Sequence, residues 1–139
     1  MQATFVFTSF AWHEVSKKIF LFRKIERQIE GYFEVKNYSD SPKVKRILFA
    51  HLINLDAYAA MFDYSDRFAW RKGDIFLYGK IPYEIFAAAD DKTALRLLCE
   101  SYLAAILRIP TLKGMKNVHF QAQKLHDDLE YFFRENGYW

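Results

Sequence analysis

Apolar residues along this chain alternate with polar ones, recur at helical spacing, or run together, and the switches between those patterns lay out its elements. Between Asp74 and Ile81 the period is two: Ile75, Leu77, Gly79 and Ile81 fall on one side and Phe76, Tyr78 and Lys80 on the other. That is a strand with one well-buried face. Lys72-Gly73-Asp74 in front of it reads as a tight turn, and Asp66 to Arg71 supplies the partner strand of a hairpin. Pro82 has no N–H to donate and closes the ladder. The period then changes to three and four. Asp90 is placed to cap a helix and Asp91 sits in its first turn, where free N–H groups and the dipole favour an anion. Leu95, Leu98, Tyr102, Ala105, Ile106 and Ile109 form the apolar stripe of that helix, which Pro110 stops.

The rest of the chain fills in around this pair. Ala3 to Thr8 alternates, with Phe5 and Phe7 on one side, as a first strand does. Val15, Ile19, Phe22, Ile25, Ile29 and Tyr32 predict a helix of about five turns from near Trp12 to Glu30, with Gly31 at its end. After the turn-formers of Asn37 to Pro42, Val44 to Leu55 is a run of β-branched and large apolar residues, a second strand covered on both faces. Asp56 to Phe62 suits a single helical turn. Beyond a loop from Pro110 to Lys116, Asn117 is the expected cap of a last helix with core face Ala122, Leu125, Leu129 and Phe132. Asn136-Gly137 ends that helix and leaves Tyr138 and Trp139 as a tail. The expected fold is a single α+β domain over residues 1–139, a four-stranded mixed or antiparallel sheet packed against three helices in the order β-α-β-β-β-α-α. The pattern does not order the strands.

Composition narrows the setting more than the function. A chain of 139 residues buries about two-thirds of the surface its unfolded form exposes. With 52% apolar and 19% aromatic residues there is material for a core and rings to spare for the surface. The opening MQATFVFTSF lacks the basic leader and apolar run of a signal peptide, and no stretch is apolar for long enough to span a membrane, so a cytoplasmic location without membrane association is expected. Cys99 is the only cysteine, which rules out an intrachain disulfide. The formal charge is only +3, from 20 basic and 17 acidic side chains, but it is unevenly distributed. Lys17, Lys18, Arg23, Lys24 and Arg27 share one helix, Lys43, Lys45 and Arg46 precede a strand, and aspartates dominate loops and helix starts.

Candidate chemistry is sparse. His13, His51, His119 and His126 have no partner at the spacing of a helical zinc site. There is no Gly-x-Ser-x-Gly elbow, and Cys99 sits mid-helix. The glycines are scattered singly, so no phosphate cradle forms. Asp90-Asp91 and Asp127-Asp128 are adjacent pairs whose side chains diverge around a helix, and capping already explains the first. No catalytic residue, metal or cofactor is assigned. Arg67-Phe68-Ala69-Trp70-Arg71-Lys72 interleaves cations with rings, as RNA binders do, but the ring-bearing motif of a four-stranded RNA-binding sheet is absent and direct nucleic-acid binding is the weaker reading.

Taken in order, several segments resemble the small α+β immunity proteins of bacterial polymorphic toxin systems, including contact-dependent growth inhibition. They are a short N-terminal strand, a Lys/Arg-rich helix, an apolar strand, Lys72-Gly73-Asp74, and a strand closing in Ile81-Pro82-Tyr83-Glu84-Ile85-Phe86. Ala89-Asp90-Asp91-Lys92-Thr93-Ala94-Leu95 with a Glu100-bearing helix follows, then Ile109-Pro110-Thr111-Leu112-Lys113-Gly114 leading into Phe120, Leu125 and Leu129. The resemblance implies a protein that is not an enzyme: a monomer or homodimer that binds the C-terminal domain of a cognate toxin and occludes it. The stretch Asp63 to Trp70 is the expected contact, with Asp63, Tyr64, Asp66, Arg67 and Trp70 as candidate toxin-binding residues; Phe68 and Trp70 are at least as well suited to packing the sheet, and the polar Tyr64, Asp66 and Arg67 are the better contacts. Many such toxins are nucleases with basic clefts, for which a +3 inhibitor is an awkward match. Either a local acidic patch, Asp56, Asp63 and Asp66, does the docking, or the toxin is of another kind. The alternative classes are a nucleic-acid-binding or regulatory protein-binding module and, third, an enzyme with a deep pocket of ionisable groups.

Overall fold

The computed structural model describes residues 4–9, 19–33, 36–39, 41, 43–52 and 66–139. In chain order the elements are β1 (Thr4–Ser9), α1 (Ile19–Phe33), β2 (Arg46–Leu52), β3 (Arg67–Ala69), β4 (Asp74–Lys80), α2 (Tyr83–Ala88), α3 (Asp91–Ile106), a 3-10 turn (Ile109–Thr111) and α4 (Ala122–Glu135). The class is α+β and the sheet is mixed. β1, β2 and β4 lie parallel in that order, and β3 pairs antiparallel with the outer side of β4. The two interior positions thus go to β2 and β4, whose sequences RILFAHL and DIFLYGK carry the most apolar mass of the strands near them.

Register decides which side chains enter the core. Ile47 lies opposite Ile75 and Phe49 opposite Leu77, and all four are buried to 1% exposure or less. Their neighbours on the other face, Leu48 opposite Phe76 and Ala50 opposite Tyr78, are less deeply covered, Ala50 being the most buried of them. One contiguous core joins the first face to Leu21, Ile25, Ile29 and Phe33 of α1, Leu98, Tyr102 and Ile106 of α3, and Leu125, Leu129 and Phe133 of α4. Rings knit the layers: Phe49 of the sheet meets Tyr102 at 4.6 Å, and Tyr32 of α1 meets Phe132 of α4 at 4.7 Å. Removing the Phe49 ring to alanine takes it from the centre of this packing, at a cost of about 3–5 kcal/mol.

α3 starts as its residues dictate. The Asp90 carboxylate accepts the Thr93 N–H at 2.8 Å, Asp91 occupies the first turn, and Leu98, Tyr102, Ala105 and Ile106 are fully buried.

Other expectations change. The described residues contain four α-helices, not three, because Tyr83–Ala88 coils between Pro82 and α3 and extends the order to β-α-β-β-β-α-α-α. Pro82 ends β4 and also stands at the N-cap of α2, where a missing N–H costs nothing. α1 runs through Gly31 to Phe33, since Tyr32 and Phe33 pack on Phe132 and carry the helix past its glycine. α3 ends at Ile106, and Pro110 lies inside the 3-10 turn beyond it. Asn117 caps nothing: α4 begins at Ala122 behind Gln121, whose N–H is drawn to the Tyr38 carbonyl at 2.7 Å. Tyr138 is buried, its hydroxyl bonded to Gln28 of α1, so of the two residues expected as a tail it is packed, while Trp139 is exposed. The strand expected over Val44 to Leu55 starts at Arg46 and is described to Leu52, residues 53–55 lying outside the described ones, and the strand expected over Asp66 to Arg71 shrinks to Arg67–Ala69. The start of α1 near Trp12 and the turn expected over Asp56 to Phe62 lie outside the described residues.

Candidate docking surface

The turn that joins β3 to β4 holds two basic segments side by side. Trp70 to Gly73 forms it, with the Gly73 N–H donating to the Ala69 carbonyl at 2.8 Å. Gly73 has φ +72°, the left-handed region that a residue with a Cβ enters only at a cost. Its carbonyl accepts from the N–H groups of Lys45 (2.7 Å) and Arg46 (3.1 Å), which laces the approach to β2 onto the hairpin. The contact is close: a Cβ on Gly73 would sit 2.6 Å from the Lys43 carbonyl oxygen. Lys43, Lys45 and Arg46 therefore stand next to Arg67, Trp70, Arg71 and Lys72 at one end of the sheet.

The carboxylates nearby are already committed. Asp74 is 1% exposed and takes Arg46 in a bidentate pair, Nε at 2.7 Å and Nη2 at 2.8 Å. That hydrogen bond and the adjoining charge raise the Arg46 pKa further still. Asp66 accepts the Tyr78 N–H at 2.9 Å through one oxygen and Arg108 Nε at 2.6 Å through the other, while Arg108 Nη2 donates to the Tyr78 carbonyl at 2.5 Å. In contrast, Lys43, Lys45, Arg71, Lys72 and Lys113 are exposed and make no ion pair among the described residues. Arg67 lies over the Phe76 ring at 4.9 Å. Trp70 is 59% exposed, with Lys43 Nζ 5.6 Å from its ring centre. The result is a projecting indole with a lysine over its ring, on a turn that carries further exposed cations.

The outer edge of β3 is closed. Phe68, buried in the core, donates its N–H to the Lys113 carbonyl at 3.0 Å, and Arg67 and Lys113 form a parallel bridge. The chain's own loop thus occupies the position a foreign strand would take. Any partner meets side chains here.

Of the residues proposed from sequence, Asp66, Arg67 and Trp70 come together, while Asp63 and Tyr64 lie outside the described residues. Arg67 and Trp70 face solvent. Asp66 instead turns toward Arg108, 42 positions away in the chain. The contribution of Lys43 and Lys45 was foreshadowed by the basic run before β2; that of Lys113 had no local signal.

Elsewhere the groups with chemical potential are packed or solvated. Cys99 is buried, and desolvation, with Glu100 beside it, pushes its thiol up to about 12. Burial, and Glu30 next, raise the half-buried Glu26 to about 7. Burial and a hydrogen bond to Asp128 (2.7 Å) raise Tyr38. On α4 an open depression of about 240 Å³ is lined by Asp127, Glu130, Tyr131 and Arg134, with Arg134 paired to Glu130 at 2.6 Å. No group of three or more potential metal ligands occurs among the described residues, and none of their helices is long and apolar enough to cross a membrane.

Compared with known proteins, the chain matches the family model described as Immunity protein 44 over residues 3–135. No curated protein and no solved structure matches it.

Proposed function

The chain belongs to the Immunity protein 44 family, and from that membership we propose that it binds the C-terminal domain of a cognate toxin and neutralises it by occlusion, with no reaction of its own. The setting is a bacterial polymorphic toxin system of the contact-dependent growth inhibition kind, with the inhibitor a monomer or homodimer acting in the cytoplasm. The observation that carries the reading to a place on the molecule is Trp70, a large ring projecting from a laced hairpin among cations. Tryptophan and arginine are the residues most often found to dominate interface energy, and a rigid support reduces the entropy lost on docking.

Within this reading Trp70 and Arg67 contact the toxin. Asp66 acts through its bond to Arg108 by holding the hairpin against the 3-10 turn, and Asp63 and Tyr64 extend the contact. The test is protection of cells expressing the toxin domain, with affinity measured by calorimetry. Trp70→Ala with Arg67→Glu should lower affinity by about a hundredfold or more, in line with two central interface residues. Full protection by that double variant would remove this surface from the account.

The same cations and ring also suit a nucleic acid. That second reading predicts binding to single strands that falls steeply as salt rises, with no need of a protein partner.

A further inference from the structure

We infer that the toxin surface covering this hairpin is acidic, a carboxylate-bearing protein face with an apolar slot for Trp70. The inference rests on the neutralising role proposed above and names the chemistry of the partner. Lys43 lies over the indole, Lys45 is held to the same turn through Gly73, Arg71 and Lys72 belong to that turn and Lys113 lies beside β3, and none of the five makes an ion pair among the described residues. A neutral partner would desolvate those charges with no return, and a cationic one would repel them. Of the described aspartates beside the hairpin, Asp66 is engaged by Arg108 and Asp74 by Arg46, so neither is left to meet a basic cleft; Asp56 and Asp63 lie outside the described residues. A basic nuclease cleft is therefore not what this surface fills.

Among the described residues the other basic cluster does not compete. On α1 the exposed cations Arg23, Lys24 and Arg27 share their helix with Glu26 and Glu30, and Lys24 lies over the Tyr138 ring. That face is mixed in sign. A protein is favoured over a nucleic acid because, among the described residues of this hairpin, only Trp70 presents a ring: Phe68 is buried and Arg67 covers Phe76, so these residues offer successive bases no series of rings to stack on. Closure of the β3 edge by Lys113 excludes strand addition, so side chains make the contact.

The experiment follows association of this protein with the catalytically inactive C-terminal domain of the toxin encoded beside it, by stopped flow from low to high sodium chloride. An acidic partner predicts an association rate that falls about tenfold or more across the range. The triple variant Lys43→Glu, Arg71→Glu, Lys72→Glu should lower it by about a hundredfold at low salt, while Arg23→Glu, Lys24→Glu, Arg27→Glu should change it by less than about threefold. The glutamine version of the hairpin triple gives a smaller loss in the same direction, and serves should the glutamate version not fold. A complex that forms with rates indifferent to salt and to the hairpin triple would overturn the acidic face and leave the neutralising role intact. Failure of the unaltered protein to bind the toxin domain at all would overturn both. A labelled single-stranded oligonucleotide that binds and is lost in the hairpin triple, with toxin binding unmoved, would assign these cations to nucleic acid and overturn the proposal.

Discussion

Replacing Gly73 by alanine should weaken the fold and the docking surface together, and a glycine series separates the reasons. Two effects act at this position. The left-handed φ of +72° costs a residue with a Cβ about 1–2 kcal/mol. A Cβ there would also lie 2.6 Å from the Lys43 carbonyl oxygen and 2.6 Å from Lys45 Cγ. Lys45 can swing away, but the carbonyl belongs to the backbone strand that Gly73 itself holds. Relieving that contact shifts the segment and stretches the bonds from Lys45 and Arg46, adding about 1–3 kcal/mol. The sum, about 2–5 kcal/mol, corresponds to a fall in Tm of about 6–20 °C for a chain of this size. Gly137→Ala has the same φ of +72° but nothing within 4 Å, so it should lose only about 1–2 kcal/mol. Gly31→Ala lies in a helix with open space around it and should gain about 0.5–1 kcal/mol. Urea unfolding followed by circular dichroism gives all three on one scale. A loss at Gly73 no larger than that at Gly137 would refute the close approach, and with it the claim that this turn holds the two basic segments in place.

Three further outcomes are expected. Glu26 has its pKa raised to about 7 by burial and by Glu30, so between its ordinary 4.5 and about 7 the folded state keeps a proton the unfolded chain has lost, and stability falls as pH rises through that window. Discounted for partial exposure, Glu26→Gln should match the parent near pH 4.5 and exceed it by about 1–2 kcal/mol at pH 8, whereas parallel pH–stability curves would contradict this. Asp66→Ala and Arg108→Ala should each cost about 1–3 kcal/mol and the double variant little more than either, because both remove one connected set of bonds; a fully additive double-mutant cycle would separate them. Cys99, buried and with its thiol pushed up to about 12, should resist a disulfide reagent at pH 8 in the native protein and react at once in guanidinium.

Much of the architecture was legible because it is written in local periodicity. The alternation from Ile75 to Ile81, the Asp90 cap and the stripe from Leu98 to Ile106 all appear where the sequence places them, with Ile109 buried in the 3-10 turn beyond the helix. The short helix α2 was not legible: of Glu84 to Ala88 only Phe86 is buried while Ile85 is 56% exposed, so six residues show no period. The start of α4 and the burial of Tyr138 depend on partners far away in the chain, Tyr38 and Gln28, which no window contains. The docking surface divides in the same way. Arg67 could be named from its polarity, whereas Trp70 suited the packing of the sheet as well as the surface, and its exposure came only with the fold. That Asp66 serves Arg108, and that Lys113 closes the edge, required the fold.

The most direct measurement of the central claim is hydroxyl-radical footprinting of the protein alone and in complex with the toxin domain. Trp70 and Tyr131 are equally exposed at 59%, one on the hairpin and one on α4, so each calibrates the other. The account predicts that the complex suppresses oxidation of Trp70 strongly while Tyr131 reacts as before. Unchanged oxidation of Trp70 in a complex that still silences the toxin would contradict it.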